Sequence, residues 1–144
     1  MSAREITFRG KRQHDGRWIF GAYIPADRTY WRAPSIADCN HRFEIRPQTL
    51  GQYTGFDDIN GLHIYEDDIV EVFDRGAELH IMIVRFGEYE GCIYGNENYG
   101  FYMEFTQKNK TKIYRNDFLH WHRLGVKIIG NVFDNPELLR EGKE

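Results

Sequence analysis

A mainly β fold, built as a small barrel or a strongly bent antiparallel sheet with one or two short helices, follows from three features of the sequence. Apolar and polar positions alternate with period two through most of the apolar segments. Turn dipeptides such as Asp15-Gly16, Asn60-Gly61 and Arg75-Gly76 punctuate them. Signals for helix are confined to two short stretches near the C-terminus. The 144 residues suit one domain spanning 1–144, and 10 Phe, 9 Tyr and 3 Trp supply enough apolar surface to exclude a disordered chain.

Residues 5–24 read as a β-hairpin. Ile6, Phe8 and Gly10 share one face of the first strand. In the second, Trp18, Phe20, Ala22 and Ile24 alternate with Ile19, Gly21 and Tyr23. Asp15-Gly16 fits the two positive φ values of a type I′ turn. Residues 25–47 are interrupted by Pro25, Pro34 and Pro47, which disfavour helix, so an irregular loop with one short strand at Arg42–Arg46 is expected. A loop of that length in a small domain is a natural place for a binding surface.

A barrel-like β region follows over residues 48–133. Ile69–Phe73 and Leu79–Phe86 form a second hairpin about Arg75-Gly76, and Cys92–Tyr94 and Phe101–Phe105 form two shorter strands. Gln107–Lys112 is polar and reads as an exposed loop. Asn116 or Asp117 can cap a short helical turn through Leu119–Leu124 that Gly125 ends, and Val126–Phe133 returns to strand. Asn135-Pro136-Glu137 starts a C-terminal helix over about residues 135–141, with proline in the first turn and an acid beside it.

Charge is unevenly laid out. Residues 1–46 carry a surplus of +4, residues 47–104 a deficit of −10 and the last forty +3, for a net −3. Such asymmetry suits a basic face for nucleic acid, self-complementary surfaces in an oligomer, or simply wet turns in a β protein. Cys39 and Cys92 have no Cys-x-x-Cys spacing and read as reduced, buried thiols. No apolar run approaches the ~20 residues of a membrane helix. The start, Met1-Ser2-Ala3-Arg4-Glu5, is charged at once, so a cytoplasmic location is expected.

Three stretches carry a resemblance. They are Phe8-Arg9-Gly10-Lys11 with Asp15-Gly16-Arg17-Trp18-Ile19-Phe20-Gly21; Gly51-Gln52-Tyr53-Thr54-Gly55-Phe56-Asp57-Asp58 through Ile64-Tyr65-Glu66-Asp67-Asp68-Ile69-Val70; and Ile129-Gly130-Asn131-Val132-Phe133 through Leu139. In this order they resemble the YopX family, small proteins of bacteriophages and prophages. The resemblance implies a phage or prophage origin, a bacterial host cell and a largely β fold, and it implies no reaction. It covers both ends and the middle of the chain but not residues 25–46 or 86–126. Where the family pattern has glycine between the acids of the middle motif, this chain has Asp67, a residue that tolerates left-handed backbone better than most. The run Glu66-Asp67-Asp68 into Ile69-Val70 is also similar to the turn-into-strand of SH3-like barrels. Trp18, Phe20, Tyr53, Tyr65 and Phe133 are expected core anchors.

Candidate chemistry is sparse. Asp57, Asp58, Glu66, Asp67 and Asp68 with His63 form the densest acidic cluster. Asp57, His63, Glu66 and Asp68 are weak candidates for Mg²⁺ or Mn²⁺, although their spacing fits no calcium loop or His-Glu-x-x-His helix. His120-Trp121-His122 would start a zinc site only if extended, since the imidazoles diverge on a helix. Arg9, Lys11, Arg12 and Arg17 gather about the first hairpin, and Tyr30, Trp31 and Arg32 mix cations with rings in the irregular loop. The expectation is a non-enzymatic binding module without cofactor, acting on a host or phage protein or on itself. The alternative is single-stranded nucleic-acid binding through the basic and aromatic N-terminal residues, and the third reading is a metal-dependent hydrolase on turn 57–68. A buried, convergent acidic set would favour the enzyme, and an exposed apolar patch the binding module.

Overall fold

The computed structural model describes residues 4–27, 32–73, 79–90, 97–106 and 117–139. The chain divides into two compact units, Met1–Gly55 and Phe56–Glu144. Strands dominate both, as the alternation predicts. They assemble into antiparallel sheets, and the described residues close no barrel. No described helix is long and apolar enough to cross a membrane.

The first unit holds β1 (Phe8–Lys11), β2 (Trp18–Ile24), β3 (Ser35–Ala37), β4 (Arg42–Glu44), a 3-10 turn at Pro47–Thr49 and β5 (Gly51–Asp57), whose last residues enter the second unit. The strand order is β4-β3-β2-β1-β5. β1 and β2 make the expected hairpin, with Lys11 opposite Trp18. Its turn is not type I′. Only Gly16 has positive φ (75°), and the amide of Arg12 donates to the carbonyl of Arg17 at 2.8 Å, so the loop is longer than two residues. The Asp15 carboxylate holds that loop by accepting from the Arg17 amide (3.1 Å) and pairing with Arg12. The strand at Arg42 is present, and β3 before it is an addition to the expected loop. Three residues behind Pro34 are too few to show a period.

Register decides which face of this sheet is core. Gly10 opposes Ile19, and Tyr23 opposes Ile36, which opposes Phe43. Ile36 and Ile45 on that face are fully buried. Arg9, Lys11, Trp18, Phe20 and Ala22 alternate to the other face. Phe20 is therefore exposed rather than a core anchor, and Trp18 is only half-buried. Gly21 is required where it stands: a Cβ there would lie 2.3 Å from the backbone oxygen of Ala37.

The second unit holds β6 (His63–Tyr65), β7 (Asp68–Phe73), β8 (Leu79–Glu90), β9 (Glu97–Phe105), α1 (Phe118–His122), β10 (Val126–Asn131) and a 3-10 turn at Pro136–Leu139. Its four-stranded sheet runs β10-β7-β8-β9. Val70, Val72, Met82, Val84, Met103 and Val126 share one face and pack with Ile64, Phe118 and Trp121 into a dry core. Burying each such side chain contributes about 1.5–3 kcal/mol. The hairpin predicted about residue 75 is β7–β8, and β9 starts earlier than the strand predicted at Phe101. α1 is the expected short helix, followed by Gly125 at φ 99°. The expected C-terminal helix is a single 3-10 turn in the described residues. Asn135 does not cap it; its side chain turns back to accept from the Asn131 amide at 3.2 Å. Tyr53 and Tyr65 are buried as expected, while Phe133 is only partly so. The loop 107–112 and the strand at Cys92 lie outside the described residues, and Cys39 is exposed rather than buried.

The middle motif turns where the left-handed residue was expected. Asp67 has φ 72° and is the non-glycine residue with positive φ among those described. Its amide donates to Val84 O at 2.7 Å and its carbonyl accepts from Val132 N at 3.0 Å. Its carboxylate meets the Arg85 guanidinium at 2.6 Å, and Arg85 also reaches Glu104 at 3.3 Å. The turn thus links β7, β8 and the end of β10.

Candidate functional site

Among the described residues, the basic side chains expected about the first hairpin do not form one cluster. Strand alternation sends Arg9 and Lys11 to the face of Trp18, whose ring lies under the Arg9 guanidinium at 4.6 Å and near the Lys11 ammonium at 5.4 Å. Arg12 goes to the opposite face, over Phe43 at 5.1 Å. There it pairs with Asp15, which its hydrogen bond and charge hold down at about 2. Arg17 is exposed at the turn and Arg32 is exposed within the irregular segment. Tyr30 and Trp31 lie outside the described residues. Three of the four cations close in sequence are thus divided between two faces and the fourth stands at the turn, and the Trp18 ring is already engaged by its own neighbours.

The acidic turn is also divided. Asp58 is buried, and its carboxylate accepts three backbone N–H groups: Asn60 (2.8 Å) and Leu62 (2.9 Å) on one oxygen, Ile128 (3.1 Å) on the other. Asp68, 2% exposed, accepts from the Tyr65 amide at 2.8 Å. Both carboxylates hold backbone in place. Asp57 stays at the surface and meets His63 Nδ1 at 2.7 Å, while Glu66 is half-buried in the next turn. Among the described residues no group of three or more His, Cys, Asp and Glu side chains is placed to hold a metal ion. His120 and His122, two positions apart on a helix, point about 200° apart. His122 Nε2 contacts Asp57 O at 2.9 Å, and His120 lies edge-on to Trp121.

What the acidic turn does present is apolar. Ile59 is 66% and Leu62 56% exposed at its tip, with Phe56 and Leu119 exposed on the segments beside it. The tip is firmly built. Besides the Asp58 bonds, Ile59 N donates to Val126 O at 2.9 Å, and Phe56 packs on Phe118 and His122 at 5.5 and 4.8 Å. Sequence reasoning missed this site because apolar residues near a glycine turn read as core. The hint was Asp58-Ile59-Asn60-Gly61-Leu62, two large apolar side chains inside the turn itself rather than on its flanking strands.

Comparison with known proteins adds a family and a fold. No curated protein matches the chain. Among solved structures, one of the same fold is the protein EF1440 from Enterococcus faecalis, at TM-score 0.52 and 19% identity, covering 95% of this chain and 99% of that one. The family profile described as YopX protein matches residues 7–140, which takes in all three motif stretches, and the chain therefore belongs to the YopX family.

Proposed function

We propose that this chain is a non-enzymatic binding module of a phage or prophage, and that it docks a protein partner through the apolar tip at Ile59 and Leu62. One observation carries the reading: two large apolar side chains are exposed on a turn that buried Asp58 fixes through three backbone hydrogen bonds. Exposure on a fixed turn is presentation rather than fraying, and a preorganised patch loses little entropy on docking. The acidic turn favours this reading over the enzymatic one, since Asp68, one of the four candidate residues, is engaged by a backbone amide, as is its neighbour in the cluster, Asp58. The nucleic-acid alternative is weakened by the separation of Arg9 and Lys11 from Arg12 and by the engaged Trp18 ring.

The test is capture from a bacterial host lysate by the full chain and by a double variant, Ile59→Ser with Leu62→Ser. The expected result is a protein retained by the wild type and weakened at least about tenfold in the variant, whose fold is checked by circular dichroism. Equal retention by both, or retardation of single-stranded DNA or RNA with no protein captured, would overturn the proposal.

A further inference from the structure

β8 and β9 continue as a two-stranded ribbon past the core. Their register pairs Val84 with Met103, then Phe86 with Phe101, Gly87 with Gly100, Glu88 with Tyr99 and Glu90 with Glu97. Alternation puts Phe86, Glu88, Tyr99 and Phe101 on the face that holds Met82, Val84 and Met103 further in. Exposure rises sharply along that face, from fully buried Val84 and Met103 to 42% at Phe86 and 72% at Tyr99. The rings are already arranged: Phe86 meets Tyr99 edge-on at 5.2 Å and Phe101 at 4.9 Å. Glu88 is exposed among them. Aromatic rings beside carboxylates attract cations through both ring quadrupole and charge.

The same chain carries a complementary surface. Residues 1–46 hold a surplus of +4 while residues 47–104 hold −10, and Arg17 stands exposed at the turn of the β1–β2 hairpin. We infer that the outer face of the β8–β9 ribbon docks the basic β1–β2 hairpin of a second copy of this chain, with Arg17 entering between Glu88 and the Phe86–Tyr99 rings. This contact uses two different patches, so it closes reciprocally in a dimer or propagates into longer assemblies. It involves a face other than the Ile59–Leu62 tip, and the two proposals fail separately.

The test is the molar mass of the full chain by sedimentation equilibrium and light scattering across concentration and salt. Association is expected at low ionic strength and should weaken toward about 1 M salt, where the screening length falls to ~3 Å. Glu88→Arg and Arg17→Glu should each weaken it at least about tenfold, because like charges then face each other. An equimolar mixture of the two variants should regain association through the swapped pair. Should Glu88→Arg disturb the fold, Tyr99→Ser at the exposed ring gives the same readout without a charge change. A monomer under every condition, association indifferent to salt and to both variants, or a mixture no more associated than its parts would overturn the inference. Association unchanged by Ile59→Ser with Leu62→Ser separates it from the proposed partner site.

Discussion

Replacing Asp67 by glycine, asparagine and alanine separates the two jobs this residue does. The first is conformational. At φ 72° a Cβ-bearing residue costs about 1–2 kcal/mol, less for Asp and Asn, and the bonds donated to Val84 and accepted from Val132 keep the backbone from escaping that geometry. The second is the ion pair with Arg85. With side chains 14% and 33% exposed it lies between a surface pair and a buried charged hydrogen bond, so ~1 kcal/mol is a fair magnitude. Asp67→Gly loses the pair but relieves the backbone, and its stability should stay within about 0.5 kcal/mol of the parent. Asp67→Asn keeps the conformational tolerance and should cost ~1 kcal/mol through the lost charge. Asp67→Ala loses both and should cost roughly 2 kcal/mol, a shift of about 1 M in a urea midpoint. Equilibrium urea unfolding followed by tryptophan fluorescence reads the series. If alanine proved as stable as glycine, the left-handed backbone would carry no cost and the reasoning would fail.

Two further predictions concern the first unit. Gly21→Ala would drive a methyl group to 2.3 Å from the Ala37 carbonyl, which is backbone and cannot step aside, so β2 and β3 should separate at a cost of roughly 2–4 kcal/mol in chemical denaturation; a loss below ~1 kcal/mol would contradict it. The Asp15 carboxyl, followed by NMR, should titrate at about 2 and return toward the usual carboxylate range in Arg12→Gln. Because the folded value is depressed, the Arg12–Asp15 contribution is complete above the ordinary carboxylate value and disappears as pH falls through about 2.

Several features were legible because they depend on local chemistry. Gly16, Gly61 and Gly125 mark turns whether or not anything packs on them, and Asp67 could be assigned its left-handed role because the family pattern it resembles has glycine at that place. The buried face of β2 was not legible, because Trp18, Phe20 and Ala22 on one side are as apolar as Ile19 and Tyr23 on the other. The choice belongs to Ile36 and Ile45, in segments too short or irregular to advertise themselves. The separation of Arg12 from Arg9 and Lys11 was implicit in strand parity, since odd and even positions face opposite ways; proximity in sequence obscured it. The apolar tip was only hinted at by two large apolar side chains inside one turn, because part of what fixes it is a hydrogen bond from Ile128 to Asp58, seventy positions apart.

The position of β10 bears on how the protein is made. This last strand takes the place beside β7, Val126 against Val72 through Asn131 against Asp68. During synthesis β7 therefore emerges more than fifty residues before the strand that covers its flank. Until the ribosome releases residue 131, Ile69, Val70 and Val72 sit on an open border of the nascent sheet, the kind that recruits other chains. Messages truncated before β10, or ribosomes stalled there, should yield insoluble product, and a chaperone that shields nascent β-structure should raise the yield of the full-length chain.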